Sequence, residues 1–258
     1  MLSIVMSVYN GEKTVGKAIE SMLNQTYSDF EFIIIDDCSK DKTVTILLDY
    51  QKKDSRIIIL KNKENLGISA SLNKGIIESK GEWIVRMDDD DESLPDRLEK
   101  QINFIQNNSN VDIFGGKAIF QDSSGNEIKN YLSNWPPIDK REIEKTFYKA
   151  SPLIHPTVCM RKQSIITLGL YNKNYSGAED HELWARAWKS GLIITNMNEF
   201  LIRYTVNPGK KSFNRIWKKF YVKNYIVKQY GFPKKYYFQN IAKMSRDILT
   251  KFNLYNPI

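Results

Sequence analysis

Four consecutive carboxylates, Asp88-Asp89-Asp90-Asp91, follow an apolar stretch that contains Trp83, Ile84, Val85 and Met87. Like charges at this spacing raise one another's energy, so the cluster needs a positive partner. A divalent cation carrying an anionic ligand is the natural one. Asp88, Asp90, Glu92 and Glu99 also fall on positions 1, 3, 5 and 12 of a calcium-loop template. There, however, Ser93 replaces the turn glycine and Pro95 interrupts the loop. A hard-cation site serving a phosphate ligand accounts for the run better than that loop or a solvated acidic turn. Mg2+ or Mn2+ binds through one or two carboxylates, with phosphate oxygens completing its shell.

Other residues able to do chemistry lie at a distance. Asp36-Asp37-Cys38-Ser39 follows the apolar run Phe32–Ile35. A helix cap explains Ser39 or Asp41 but not both aspartates. A carboxylate here suits the imide N–H of a uracil. Asn65-Leu66-Gly67 through Asn73-Lys74-Gly75 reads as a second polar loop, with Lys74 placed for phosphate. Glu179-Asp180 reads either as a plain acidic helix start or as a general base opposite the metal. His155 and His181 are isolated, which suits structural roles better than metal ligation. Neither the glycine-rich dinucleotide fingerprint nor the P-loop signature is present, which leaves open a nucleotide site built from carboxylates and a metal.

These residues need elements to position them. Leu2–Val8, Phe32–Ile35, Ile57–Leu60 and Trp83–Met87 read as strands. Between them, Val15/Ala18/Ile19/Met22/Leu23, Val44/Leu47/Leu48/Tyr50 and Leu72/Ile76/Ile77 recur at helical spacing. Strands alternating with helices predict a mostly parallel central sheet flanked by helices, an α/β fold with a Rossmann-like nucleotide-binding half. Ligands then sit beyond the carboxyl ends of the strands. Ser7–Asn10, Asp36-Asp37 and Asp88–Asp91 should therefore converge on one edge. A helix is expected from about Asp180, with Leu183, Trp184, Ala187 and Trp188 on one face.

The chain of 258 residues carries a net charge of +8. Residues 210–258 hold twelve Lys/Arg against one acid, Asp247, while the remainder has 26 basic and 29 acidic residues. The basicity belongs to this aromatic, helix-patterned tail. Its stripes are Phe213/Ile216/Trp217/Phe220/Tyr221 and Tyr237/Ile241/Met244/Ile248/Phe252. Such a tail either packs on the domain or lies on an anionic membrane surface. No recognition motif for nucleic acid accompanies the charge, so no nucleic-acid partner is expected. No run approaches the ~18 apolar residues of a membrane span. The N-terminus reads as a first strand rather than a signal peptide. Cys38 and Cys159 lack metal-ligand spacing and fit a reduced, cytoplasmic setting.

Over residues 1–205 the chain resembles family 2 of the glycosyltransferases, inverting enzymes of the A-type glycosyltransferase fold. The motifs that carry the resemblance, in order, begin with Ser7-Val8-Tyr9-Asn10, Asn24–Tyr27 and Ile35–Asp41. They continue with Asn65-Leu66-Gly67, Arg86–Asp91, Leu94–Leu98 and Ala178–Trp184. The resemblance implies a catalytic domain over 1–209, with a nucleotide-sugar half at 1–115 and an acceptor half at 116–209. The tail, 210–258, lies beyond it. It implies nucleotide contacts from Ser7, Tyr9, Asn10, Asp36, Asn65, Gly67, Lys74, Arg86 and Asp88. Asp90 and Asp88 would hold Mn2+ or Mg2+. Asp180 would be the catalytic base, with Glu179, His181 and Trp184 at the acceptor. The implied reaction moves a hexosyl or N-acetylhexosaminyl group from a UDP-sugar to a glycan or lipid-linked glycan, with inversion. The setting would be bacterial surface-polysaccharide or lipooligosaccharide assembly, cytoplasmic and peripheral on the inner membrane face. Two features depart from the family pattern. Asp89 fills a position that is often small. Tyr204-Thr205-Val206-Asn207 stands where Tyr-Arg-x-His is frequent, leaving Arg203, Lys210 or Lys211 as substitutes.

Two other classes compete. A nucleotidyltransferase would want a glycine-rich basic loop, which Val8–Gly11 does not supply. A non-catalytic metal- and UDP-binding module at a membrane would have no use for Asp180 together with Asp90.

Overall fold

In the computed structural model the expected strands form, and three of them, Leu2–Val8, Phe30–Asp36 and Trp83–Asp88, are buried almost throughout, while the edge strand Ile57–Lys61 is only partly covered. The structure describes residues 1–129, 135–147, 150–206, 220–225, 228–229, 238–239 and 241–245. The first half runs β1 (Leu2–Val8), α1 (Val15–Leu23), β2 (Phe30–Asp36), α2 (Thr43–Lys53), β3 (Ile57–Lys61), α3 (Ile68–Glu78) and β4 (Trp83–Asp88). The second half runs β5 (Glu92–Ser93), α4 (Arg97–Asn107), β6 (Ile113–Gln121), α5 (Lys140–Thr146), β7 (Cys159–Arg161), α6 (Lys162–Leu168), α7 (Glu179–Lys189) and β8 (Ile194–Thr205). A short 3-10 turn, His155–Thr157, precedes β7.

The eight strands form one sheet in the order β3-β2-β1-β4-β7-β6-β8-β5. The β3-β2-β1-β4 portion is wholly parallel. Beyond β4 the sheet is mixed: β4–β7, β6–β7 and β5–β8 are antiparallel, and β6–β8 is parallel. The parallel expectation thus describes the first half, and the second half departs from it. β2 is buried along its whole length, as a strand covered on both faces must be. Alternation along β1 divides the core. Ile4, Met6 and Val8 join Val15, Ala18, Ile19 and Met22 of α1 on one face. Val5 joins Ile33, Ile35, Leu72 and Ile76 on the other, in a cluster that also contains Leu183, Trp184 and Ala187 of α7.

Some expectations needed correction. Asn73, Lys74 and Gly75 are not loop residues but lie on α3. Gly75 lets α3 close on the sheet: a Cβ there would sit 2.6 Å from Ile35 Cδ1 and Val5 Cγ1. Leu48 and Ile77, read as marking helices, do lie on α2 and α3, though on their exposed sides, at 38% and 56% exposure. Glu99 accepts a hydrogen bond from Thr26 Oγ1 at 2.8 Å, which ties it to the domain rather than to a calcium loop. Most of 210–258 lies outside the described residues, including Phe213, Ile216 and Trp217 of the first stripe and Tyr237, Ile248 and Phe252 of the second; Tyr221 is described and is 64% exposed. The described piece 220–225 packs on the domain: Val222 is 2% exposed, and Tyr225 stacks at 5.2 Å on Tyr175.

Candidate active site

The three polar clusters converge as the parallel topology requires. In register, Ser7 of β1 stands beside Asp88 of β4, and Val8 stands beside Asp36 of β2. The loops beyond these strands are laced together. Asn10 donates its N–H to Ser39 Oγ (3.0 Å), and its Oδ1 accepts the Lys40 N–H (2.8 Å). The Gly11 N–H reaches Thr43 Oγ1 at 2.8 Å. Asn10 and Cys38 both adopt left-handed backbone, at φ 55° and 67°, where the chain turns over the sheet edge. Tyr9 is exposed beside them.

The two neighbouring aspartates do different work. Asp37 is spent inside the protein. Its carboxylate accepts Asn62 Nδ2 (2.8 Å), the Leu66 N–H (2.9 Å) and the Gly67 N–H (2.8 Å). That grip fixes the loop carrying Asn65, which is exposed, and Gly67, whose φ of 81° opens α3. Asp36 is equally buried, yet its side chain accepts only the Ser39 N–H among the described residues. Lys74 donates to the Lys61 carbonyl (2.7 Å) and Asn62 Oδ1 (3.1 Å), so this expected phosphate contact is held at the end of β3.

The acidic run divides as well. Carboxylate oxygens of Asp88, Asp90 and Asp91 lie within 4.8 Å of one another, a set able to hold a metal ion. Asp91, which carried no role in the sequence reading, is therefore part of the cluster. It is 1% exposed; Oδ1 accepts the Thr205 N–H at 3.0 Å, and Oδ2 is sealed with no partner among the described residues. Asp89 packs under the β1–α1 loop, where a Cβ on Gly11 would clash with its Oδ2. Burial, then Asp90 and Asp88, push the Asp89 carboxyl up to about 7. Burial and Asp88 raise Asp90 and Asp91 too.

Two buried guanidinium groups answer part of this charge. Arg86, 2% exposed, forms an ion pair with Asp88. Burial opposes its charge, but Asp88 more than reverses that and holds it protonated. Arg97, from the Leu94–Leu98 motif, is fully buried and was overlooked as a site residue. It donates to the carbonyls of Arg86 (2.7 Å) and Pro156 (2.8 Å) and to Ser93 Oγ (2.9 Å), locking the end of β4. Burial lowers it to about 10, still protonated at neutral pH.

The other acid pair stands at the first turn of α7. Asp180 is half-buried; Glu179 is 7% exposed, accepts the Gly177 N–H, and is raised by burial and by Asp180. Tyr171 ties the two acid groups together. Burial raises its phenol; Arg86 opposes the rise, and Asp180, Glu179 and Asp88 add to it. It therefore lies within electrostatic reach of both. His181 and Trp184 do not line this surface. His181 is 4% exposed and bonded to the Phe147 carbonyl, and Trp184 is 0% exposed. As placed, both support α7 from beneath rather than face an acceptor. Near the cluster, β8 presents Tyr204, raised by burial and by Asp88 and Asp91. Arg203 is exposed, whereas Asn207, Lys210 and Lys211 lie outside the described residues.

The glycosyl transferase family 2 model matches residues 3–169. The chain belongs to that family. It is 34% identical over 243 residues to an uncharacterised glycosyltransferase of Methanocaldococcus jannaschii, covering 93% of this chain and 83% of that protein. It is 27% identical over 256 residues to the amylovoran biosynthesis glycosyltransferase AmsE of Erwinia amylovora, covering 95% and 94%. Among solved structures it resembles S. aureus TarS 1–349 in complex with UDP-GlcNAc. The TM-score there is 0.71 at 19% identity, over 96% of this chain and 72% of that one. It also resembles the mannosyltransferase PcManGT of Pyrobaculum calidifontis with GDP-Man and Mn2+, with a TM-score of 0.68 at 13% identity over 98% and 73%. The fold of this family 2 glycosyltransferase is the A-type glycosyltransferase fold. Among the described residues no helix is long and apolar enough to cross a membrane.

Proposed function

We propose that this family 2 member is a metal-dependent inverting enzyme. It moves a hexosyl or N-acetylhexosaminyl group from a UDP-sugar to a hydroxyl of a glycan or lipid-linked glycan. The observation that carries this reading is the pairing of two acid groups through Arg86 and Tyr171: Asp88/Asp90/Asp91 on one side and Glu179/Asp180 on the other.

The first group fits a hard divalent cation. It gathers three carboxylates, and the sealed Asp91 Oδ2 has no donor among the described residues. Asp90 and Asp88, with Asp91, would hold Mn2+ or Mg2+. When bound, the cation supplies charge stabilisation for the departing diphosphate. Asp36 reads the base, since its carboxylate keeps acceptor capacity beyond the Ser39 N–H. Ser7, Tyr9, Asn10, Asn65 and Gly67 shape the nucleotide rim, and Lys74 braces it. Arg86 holds Asp88 in place. Asp180 takes the proton from the acceptor hydroxyl as that oxygen attacks the anomeric carbon on the face opposite the leaving group. A single displacement inverts the anomeric centre. Glu179 steadies the acceptor beside it.

Support for a polysaccharide pathway comes from the likeness to AmsE, and for a nucleotide-sugar donor from the complexes of TarS and PcManGT. We place the enzyme in the cytoplasm, peripheral at the inner membrane face through its basic tail. Sedimentation with anionic against neutral vesicles tests that placement. The decisive test of activity is a panel of UDP- and GDP-sugars with Mn2+ or Mg2+, followed by Asp180→Asn. Nucleotide release on acceptor addition, lost in Asp180→Asn with UDP binding kept, is the expected result. Tight UDP binding with no turnover on any acceptor would instead mark a binding module.

A further inference from the structure

The floor between the two acid groups contains a histidine to which the proposed chemistry assigns nothing. His155 opens the 3-10 turn that Arg97 clamps through the carbonyls of Pro156 and Arg86. Its Nε2 lies 2.8 Å from the Tyr171 hydroxyl. Tyr171 is itself fixed: it is 2% exposed, and the Asn73 amide grips its N–H (2.9 Å) and its carbonyl (2.8 Å). Trp184 sets its ring edge-on against both, at 6.0 Å from His155 and 6.3 Å from Tyr171. The imidazole is thus held in one orientation. His155 is half-buried, and its Nδ1 has no protein partner among the described residues and is not sealed from solvent.

Burial and the Arg86 cation both keep the imidazole neutral. Whichever group donates in the His155–Tyr171 bond, Nδ1 takes the complementary role of a neutral donor or acceptor. A neutral ring beside a cation is a poor site for a metal ion. It lacks the charge that would recognise a phosphate, whereas a hydroxyl, which both donates and accepts, suits either tautomer. Position agrees with chemistry. His155 feels Arg86, the partner of Asp88, and Tyr171 feels Asp88 on one side and Asp180 on the other. A sugar held between a diphosphate at the acid triad and an acceptor at Asp180 would lie in the neighbourhood of this pair.

We propose that His155 contacts a hydroxyl of the transferred sugar and helps decide which sugars are accepted, with Tyr171 as its positioning residue. The inference rests on the function proposed above. It is tested with the full chain and Mn2+ by titrating UDP and a panel of UDP-hexoses into wild type, His155→Ala, His155→Gln and Tyr171→Phe. Expected is UDP affinity within about two-fold of wild type in every variant. UDP-sugar affinity and donor turnover fall about 10- to 100-fold in His155→Ala, because a site built for a hydroxyl loses discrimination when its partner goes. Gln restores part of this, and Tyr171→Phe loses about 3- to 10-fold, as one hydrogen bond fewer holds the ring. Parallel loss of UDP and UDP-sugar affinity would overturn the proposal in favour of a structural role, as would unchanged sugar discrimination. Should His155→Ala not fold, Tyr171→Phe gives the same comparison with one oxygen removed. A wild-type chain that binds no UDP at all would defeat the function reading itself, a different and recognisable failure.

Discussion

Asp89 gives the sharpest prediction, because its carboxylate is the one that departs from the family pattern and points away from the acid triad. Burial, Asp90 and Asp88 push it from an ordinary 3.8 to about 7. A folded-state pKa above the unfolded one means that the native protein binds more protons between those values. Stability is therefore lost as pH rises from about 4 to about 7, and it levels off above. At roughly 1.36 kcal/mol for each tenfold change in proton affinity, the full displacement corresponds to about 4 kcal/mol. The carboxylate is half-buried, and solvent contact reduces the expected effect to roughly 2 kcal/mol. Asp89→Asn preserves the shape that fits under Gly11 while removing the charge. Urea unfolding of the metal-free protein should show Asp89→Asn about 2 kcal/mol more stable than wild type at pH 8 and nearly equal at about pH 3.5, below the unfolded carboxyl's pKa. A gain of the same size at both pH values, or a loss at pH 8, would refute the assignment of the strain to Asp89's ionisation.

Four other perturbations follow from the same contacts. Asp37→Ala strands three donors and should cost about 3–5 kcal/mol, with Asp37→Asn costing less, both read by chemical denaturation. Arg97→Met removes a buried cation with three oxygen acceptors, and the orphaned carbonyls of Arg86 and Pro156 should lower stability by about 3 kcal/mol in the same assay. Gly75→Ala forces a methyl into Ile35 and Val5 and should cost about 1–3 kcal/mol, visible as a lower Tm. Asp91→Asn leaves a triad with one charge fewer, so calorimetry should find Mn2+-dependent UDP binding weakened at least about tenfold.

The first half of the fold was legible because its physics is local. Uninterrupted apolar strands such as Phe32–Ile35 can be buried only in a sheet covered on both faces. Once those strands are parallel, every carboxyl end lies on one edge, so Ser7, Asp36 and Asp88 had to meet. The second half was not legible. β5 has two residues and β7 three, too short for any period to show. β8 alternates poorly, and its position beside β6 and β5 is settled by pairing rather than by pattern. Asp91 was missed for the same reason, since its partner, the Thr205 N–H, comes from β8, 114 residues later. Arg97 reads as a surface residue until its acceptors are known. Asp37, read only as one of a pair, is spent on its own loop; His181, given an acceptor role, and Trp184 belong beneath the site.

The puzzle of four adjacent carboxylates looks different with Arg86 in place. This buried guanidinium sits two residues before Asp88 on the same strand, so its side chain and that of Asp88 share one face. Its field lowers Asp89, Asp90 and Asp91 on one side and Glu179 on the other, and it keeps His155 neutral. One cation therefore serves as counter-charge to both acid groups. It does not neutralise either: Asp89, Asp90, Asp91 and Glu179 all remain raised. The fold leaves a negative deficit at the triad that a hard cation can fill. A positive charge arriving there would add its own field to that of Arg86 at Glu179. The donor end and the acceptor end therefore share one buried counter-charge, Arg86.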